Sequence, residues 1–567
     1  MVLSRRRARL GWSRLLNAVR CCGAVLSGVL GARGTAADVR PLRGFRKCDH
    51  VPCCCCCRVS PFLYHQPFDS LDGLTSLWLA FLLKHRQRRD TSHPSRPCEK
   101  FPPSPDPGPE NATATMDADL EKRKGAHDGA SSQDQDTIQE GEQKFHKLGW
   151  KRLTICLIVE AIALGSLSLP AVFATLGMVP GILITVFIGL LAMYTSYIIG
   201  LVKLKYPHIR DYAEALGLIW GRIGYHLAVG MFVTMLILLI GSHVLTGTIA
   251  FIKITNETEL CAIVWGVVAA VLLFLLALPP TFADFAILGY IDFASILLAI
   301  GITIIATGIQ ASNAPGGLSA VPWRLWPAPD VAFSDAFLAV SNILFAYTFG
   351  MVQFSFMDEM HTPSDYVKST CAIGVIEIFI YVLTGALIYA FVGDDVASPA
   401  LLSTSNVVSR VAFGVALPVI FISGSINSTV LGKYIMGRAF AKSDIRLIRD
   451  ARGWAVWLAV LAAITVVSWV VGEAIPFFSS LLGVIASLFI SGFTIYFPAI
   501  FWFTLLKEGS WRASWKNVAY SVLNAVVIAI GLVFLGCGTY ASIQSIVDSY
   551  AQGAVGDPFT CAASQYV

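Results

Sequence analysis

From Trp150 onward, long apolar runs alternate with short polar connectors. Crossing the hydrocarbon core of a bilayer takes ~20 residues at ~1.5 Å per residue. The runs at 153–177, 181–202, 227–252, 261–279, 284–308, 333–357, 370–392, 409–432, 453–472, 475–506 and 517–542 meet that length, which predicts eleven transmembrane helices. The tenth is long enough to tilt or to enter the interface. The expected fold is therefore an all-α polytopic membrane protein. Its transmembrane domain spans 150–550, ahead of a short tail, 551–567.

The first run departs from a plain membrane helix halfway along. Gly165, Ser166 and Ser168 lie near its middle, Pro170 follows, and Glu160 precedes them. A lipid-facing helix has no use for such residues, whereas a helix that opens its backbone around a solute uses all of them. The sixth run repeats the feature with Tyr347-Thr348-Phe349-Gly350 at mid-depth. Interrupted segments at matching places in two halves of a chain point to a transporter built from inverted repeats, here two five-helix halves plus one extra helix. The competing reading is small residues for helix packing with a proline kink.

Composition agrees with the membrane class. The 567 residues are 55% hydrophobic and 14% charged, against ~25% charged in a soluble domain. Residues 1–149 are different in kind and read as a disordered cytoplasmic tail. They open with an acid-free, arginine-rich stretch and carry the cluster Cys53–Cys57. The start imitates a mitochondrial transit peptide, and the cysteines suit palmitoylation or a soft metal. A further reading makes 1–115 an over-extension ahead of Met116. The five cysteines of the apolar body, Cys156, Cys261, Cys371, Cys537 and Cys561, show no metal-site spacing.

Lysine and arginine in the connectors set the orientation. With the N-terminus inside, the outer segments hold only Lys253, Arg324 and Arg410, and the inner ones hold the rest. The N-terminus is then cytoplasmic and the C-terminus extracellular.

The chemistry follows from the two interruptions. If 165–168 unwinds, Pro170 begins a half-helix, since proline is favoured at a first helical position. Its N–H groups and dipole would receive an anion, most simply a carboxylate. A half-helix starting near Gly350 offers a second such end. Carbonyls released from the preceding half-helices suit a cation, so a zwitterionic amino acid matches both charges. The coupling candidates are Glu160, Asp292, Ser425 and Ser428. Each has a bland alternative: a structural hydrogen bond for the acids, and back-bonding to the helix for the serines. Glu377 is a rival carboxylate, and His243 is a lone intramembrane histidine. Asp358 and Glu359 end the sixth run as solvated or gate-paired acids. Phe345, Tyr347 and Phe349 read either as a side-chain pocket or as ordinary packing.

No Walker A, HExxH or GxSxG sequence is present. Energy from an ion gradient, or facilitated diffusion, is left, with no enzyme activity, cofactor or metal expected.

The stretches KLGWKRLTICLIVEAIALGSLSLPAVFATLG (147–177), NILFAYTFGMVQFSFMDEM (342–360), AIPFFSSLLGVIASLFISGFTIYFPAIFW (474–502) and GTYASIQSIVDSY (538–550) resemble the amino acid/auxin permease family. They look closest to the fungal neutral amino acid permeases of the methyltryptophan-resistance type. The resemblance covers about 145–562. It implies the LeuT-type 5+5 inverted repeat with discontinuous helices 1 and 6. It also implies proton-coupled uptake of aliphatic and aromatic amino acids, usually at the plasma membrane. Carried over, the substrate site comprises Gly165, Ser166, Leu167, Ser168, Phe345, Tyr347, Thr348 and Gly350. The sequence departs from the family pattern in its first 115 residues and in the bulk of Thr348-Phe349-Gly350. Two other functions compete with plasma-membrane symport: an amino acid sensor with little flux, and an organellar exporter.

Overall fold

The computed structural model describes residues 149–553 with Phe559 and Cys561, apart from 163, 257–259, 281–284, 442, 449 and 511–513. The expectations for the tail up to 148 and for most of the tail after 553 lie outside the described residues, as does the side chain of Glu160. Every regular element among the described residues is a helix. An apolar solvent leaves no alternative for an open chain, because each backbone N–H and C=O must pair within its own segment.

The first run is two helices, α1 (Trp150–Ala161) and α2 (Gly165–Leu176). After it come α3 (Met178–Lys205), α4 (Tyr212–Thr255), α5 (Ala262–Ala277) and α6 (Phe285–Asn313). The sixth run is again two helices, α7 (Phe333–Ala346) and the short α8 (Gln353–Asp358). The chain continues through α9 (Tyr366–Val392), α10 (Asn406–Ala439) and α11 (Ala451–Ala474). It ends with α12 (Phe478–Leu506) and α13 (Trp515–Ala551).

Nine helices among the described residues are long and apolar enough to cross a membrane, with α7 and α8 taken as one, while α2 and α5 are apolar but shorter. The α4 helix starts well before the run read from the sequence. Asp211 caps it by accepting from the Glu214 N–H at 3.0 Å. Gly221, at φ 60°, then kinks it, a conformation that a residue with a Cβ rarely adopts.

Burial separates the inside of the bundle from its periphery. The apolar window of α12 is 89% buried, whereas that of α13 is 28% buried. Val522, Val526 and Leu532 of α13, and Leu298, Ile305 and Ile309 of α6, point outward. Exposed branched aliphatics on a helix that crosses a bilayer face acyl chains. Around the interior, α9 packs on α1, α2, α3 and α6, while α7 packs on α2 and α12. Cys261 and Cys561, 300 residues apart, form a disulfide that ties the start of α5 to the C-terminal tail. The body cysteines do not announce this pairing in the sequence.

Candidate functional site

The interruption in the first run lies upstream of the expected place. The helix stops at Ala161 and restarts at Gly165, so Gly165 to Ser168 form the first turn of α2 and Pro170 lies inside it. The expectation of an unwound 165–168 is therefore corrected to a break at 162–164. The serines explain the difference. Ser166 Oγ donates to the Ile162 carbonyl at 2.9 Å, and Ser168 Oγ donates to the Gly165 carbonyl at 2.9 Å. Back-bonding of this kind lets hydroxyl residues stay helical. The Leu167 N–H closes the turn on the Leu164 carbonyl at 3.1 Å.

The second break falls where the sequence places it. The α7 helix ends at Ala346, Tyr347 turns away with φ −107° and ψ 64°, and α8 begins at Gln353. The half-helix thus starts after Gly350 and has 6 residues, too few for much of a dipole. Its released backbone is satisfied partly within its own turn, where the Met351 N–H donates to the Thr348 carbonyl at 3.0 Å, and partly by other helices. Thr494 of α12 donates to the Tyr347 carbonyl at 3.4 Å. The Tyr212 hydroxyl of α4 donates to the Phe493 carbonyl at 2.5 Å and lies 3.5 Å from the Gly350 carbonyl. Gln353 donates to the Ser196 carbonyl at 2.9 Å and accepts from the Ser196 hydroxyl.

The two breaks touch. A Cβ at Gly165 would stand 2.8 Å from Ala346 Cα, so only glycine permits this approach of α2 to the end of α7. Tyr381 of α9 joins them as well. Its hydroxyl lies 2.9 Å from the Ala161 carbonyl and 2.8 Å from the Ala346 carbonyl, the last carbonyls of α1 and α7. The Tyr381 ring also meets the Tyr347 ring edge to face at 5.2 Å, and the Tyr347 hydroxyl donates to the Thr185 carbonyl at 3.0 Å.

All eight residues read as substrate-binding, Gly165, Ser166, Leu167, Ser168, Phe345, Tyr347, Thr348 and Gly350, are buried at or beside these breaks. The coupling candidates are more scattered. Asp292 accepts from Ser423 Oγ at 3.1 Å between α6 and α10. Ser425 and Ser428 donate to the Ile422 and Gly424 carbonyls of their own helix, which is the bland alternative for both. The chief neighbours of α10 are α4, α5 and α6. Sequence reasoning missed Tyr381, Tyr212 and Thr494. Tyr381 alone carried a signal, because it follows Glu377 by four residues and so shares its face of α9.

The far end of α8 is fastened by charge. Asp358 pairs with Lys203 of α3. The same ammonium donates to the Pro207 and Ile209 carbonyls at 3.0 and 2.5 Å. This resolves the two readings of Asp358 in favour of pairing. Beside it, burial pushes the Glu359 carboxyl above its ordinary value, and the charge of Lys433 opposes that shift. Arg438 of α10 reaches Asp211 at 2.6 Å and lies over the Tyr434 ring at 3.5 Å.

Known proteins match this arrangement over nearly all of its helices. The family model for transmembrane amino acid transporter proteins matches residues 146–544. The N amino acid transport system protein of Neurospora crassa is 55% identical over 425 residues, 75% of this chain and 90% of that protein. A transmembrane transporter of Gibberella moniliformis is 26% identical over 74% of this chain and 88% of its own length. Auxin transporter protein 1 of Arabidopsis thaliana is 25% identical over 67% of this chain and 80% of its own length. The matched region runs from just before α1 into α13 and takes in both helix breaks. The chain therefore belongs to the transmembrane amino acid transporter family, as an integral membrane transporter and not an enzyme.

Proposed function

We propose that this protein carries neutral aliphatic and aromatic L-amino acids across the plasma membrane by proton symport with alternating access. The observation that carries the reading is the meeting of two broken helices at Gly165 and Ala346, with Tyr381 joined to the last carbonyl before each break. The N-terminus of α2 offers N–H groups and a positive dipole end to a carboxylate. The carbonyl ends of α1 and α7 offer acceptors to an ammonium group. Leu167, Phe345 and Phe349, all buried beside the breaks, suit an apolar side chain. The N. crassa relative is named for amino acid transport, in keeping with this substrate class.

In this reading the chain crosses the membrane eleven times, with α5 and the pair α1–α2 counted as spans. The pairs α1–α2 and α7–α8 are the discontinuous counterparts of a LeuT-type 5+5 inverted repeat. The N-terminus is cytoplasmic and the C-terminus extracellular. The Cys261–Cys561 disulfide supports that orientation, because such bonds persist on the oxidising side.

Purified protein in liposomes tests the function. An inward proton gradient should drive accumulation of labelled leucine and phenylalanine, and an unlabelled amino acid panel should define the competitors. Absence of uptake for every amino acid overturns the proposal. Accumulation that requires sodium and ignores the pH gradient replaces the coupling ion.

A further inference from the structure

Glu377 has surroundings unlike those of any other acid described within the spans. It is 0% exposed, midway along α9, and neither carboxyl oxygen has a hydrogen-bond partner among the described residues. Asp292, by contrast, accepts from Ser423. An ionised carboxylate without a partner is strongly disfavoured in a membrane interior, so this conformation holds the neutral acid. Tyr381 follows one helical turn later on the same face of α9. The Tyr381 ring in turn meets that of Tyr347, the first residue of the second break, edge to face at 5.2 Å. A group able to gain or lose charge thus stands beside the side chain that joins both breaks.

Among the described residues of the helices packed on α9, the other ionisable groups are bonded elsewhere or lie towards the helix ends. The α2 helix carries none. On α3, Tyr194 accepts from Asn524, Tyr197 stacks on Tyr366, and Lys203 is paired with Asp358. On α6, Tyr290 is exposed and Asp292 is bonded to Ser423. On α1, Lys151 and Arg152 lie in the first turn, and Glu160, whose side chain is outside the described residues, is the last residue but one.

We propose that Glu377 is the proton-carrying residue of transport, and that Tyr381 is a positioning residue that passes its change of charge to the two helix breaks. The inference rests on the proton-symport reading above. In the outward-open state the Glu377 carboxylate takes a proton from extracellular water and becomes the neutral acid. In the inward-open state it releases that proton to cytoplasmic water. The ionised carboxylate competes with the Ala161 and Ala346 carbonyls for the Tyr381 hydroxyl hydrogen, so that loss of the proton loosens both breaks.

Reconstituted full-length protein carries the test. In Glu377→Gln, which mimics the neutral acid, acid-driven accumulation of labelled leucine should fall by about tenfold or more. Leucine–leucine exchange should persist and lose its pH dependence. Glu377→Asp should keep accumulation with a displaced pH profile. Unchanged accumulation and pH profile in Glu377→Gln overturn the inference while leaving symport intact. A wild-type protein that ignores the proton gradient overturns the symport reading itself, and this assignment with it. If Glu377→Gln does not fold, the wild type is treated with a hydrophobic carbodiimide, which attacks protonated buried carboxyls. Labelling at Glu377 that stops accumulation and is blocked by leucine supports the inference. Labelling at Glu160 or Asp292 with Glu377 untouched overturns it.

Discussion

The two helix breaks meet at one point but are held together by different means. At 162–164 the carbonyls of Ile162, Leu164 and Gly165 are taken by Ser166, Leu167 and Ser168, all within four residues. At 347–352 the Tyr347 carbonyl is taken by α12 and the Gly350 carbonyl lies within reach of α4, while Gln353 is locked to α3. The first break draws these bonds from its own turn, and α9 and α7 reach it through Tyr381 at the Ala161 carbonyl and Ala346 at Gly165. The second is a junction of three helices and must exchange partners when any of them shifts. Tyr381 belongs to both sets, which places it where a movement at one break is felt at the other.

The largest expected effect is at Tyr381. Tyr381→Phe keeps the ring and removes the hydroxyl, whose single hydrogen serves the two buried carbonyls, at a cost of about 1–3 kcal/mol. Initial uptake should fall by roughly tenfold to a hundredfold in protein that still reaches the membrane. Uptake close to wild type would show that the breaks do not communicate through this residue. Gly165→Ala comes next. The added Cβ meets the Ala346 backbone, and overpacking of this kind costs about 1–3 kcal/mol. Uptake should drop by about tenfold, and Ala346→Gly in the same chain should restore part of it. Uptake close to wild type in Gly165→Ala would mean that the close approach of α2 and α7 is not what transport requires.

The sequence shows these features to unequal depth, and the range of the interactions explains why. Apolar runs are local, so the helices are legible. The second break is legible as Tyr347 to Gly350, where the interruption falls at the residues that mark it. Its partners Thr494 and Tyr212 are not, since they come from other helices, and Tyr381 shows only through its spacing from Glu377. The first break is legible as an event but not as a position. Ser166 and Ser168 suit an unwound segment and a back-bonded first turn equally well, and only their donation to Ile162 and Gly165 decides between the two. The same limit covers the acids. Glu377 and Asp292 look alike in the sequence, and their difference is a neighbour, Ser423, which Asp292 has and Glu377 lacks.

The smallest expected effect sharpens the comparison most. Ser166→Ala and Ser168→Ala each remove one hydroxyl that bonds a carbonyl of its own turn. A net hydrogen bond is worth about 0.5–1.5 kcal/mol, and alanine is the better helix former, so each loss is partly offset. The double variant should melt slightly lower in detergent and keep uptake within about threefold of wild type. Its effect should stay well below that of Tyr381→Phe, because the carbonyl each hydroxyl bonds lies in its own turn. If the double variant instead falls as far as Tyr381→Phe, the serine hydroxyls act on something beyond their own turn. The nearest candidates are then the substrate carboxylate and the facing end of α7, and the first break is as dependent on its surroundings as the second.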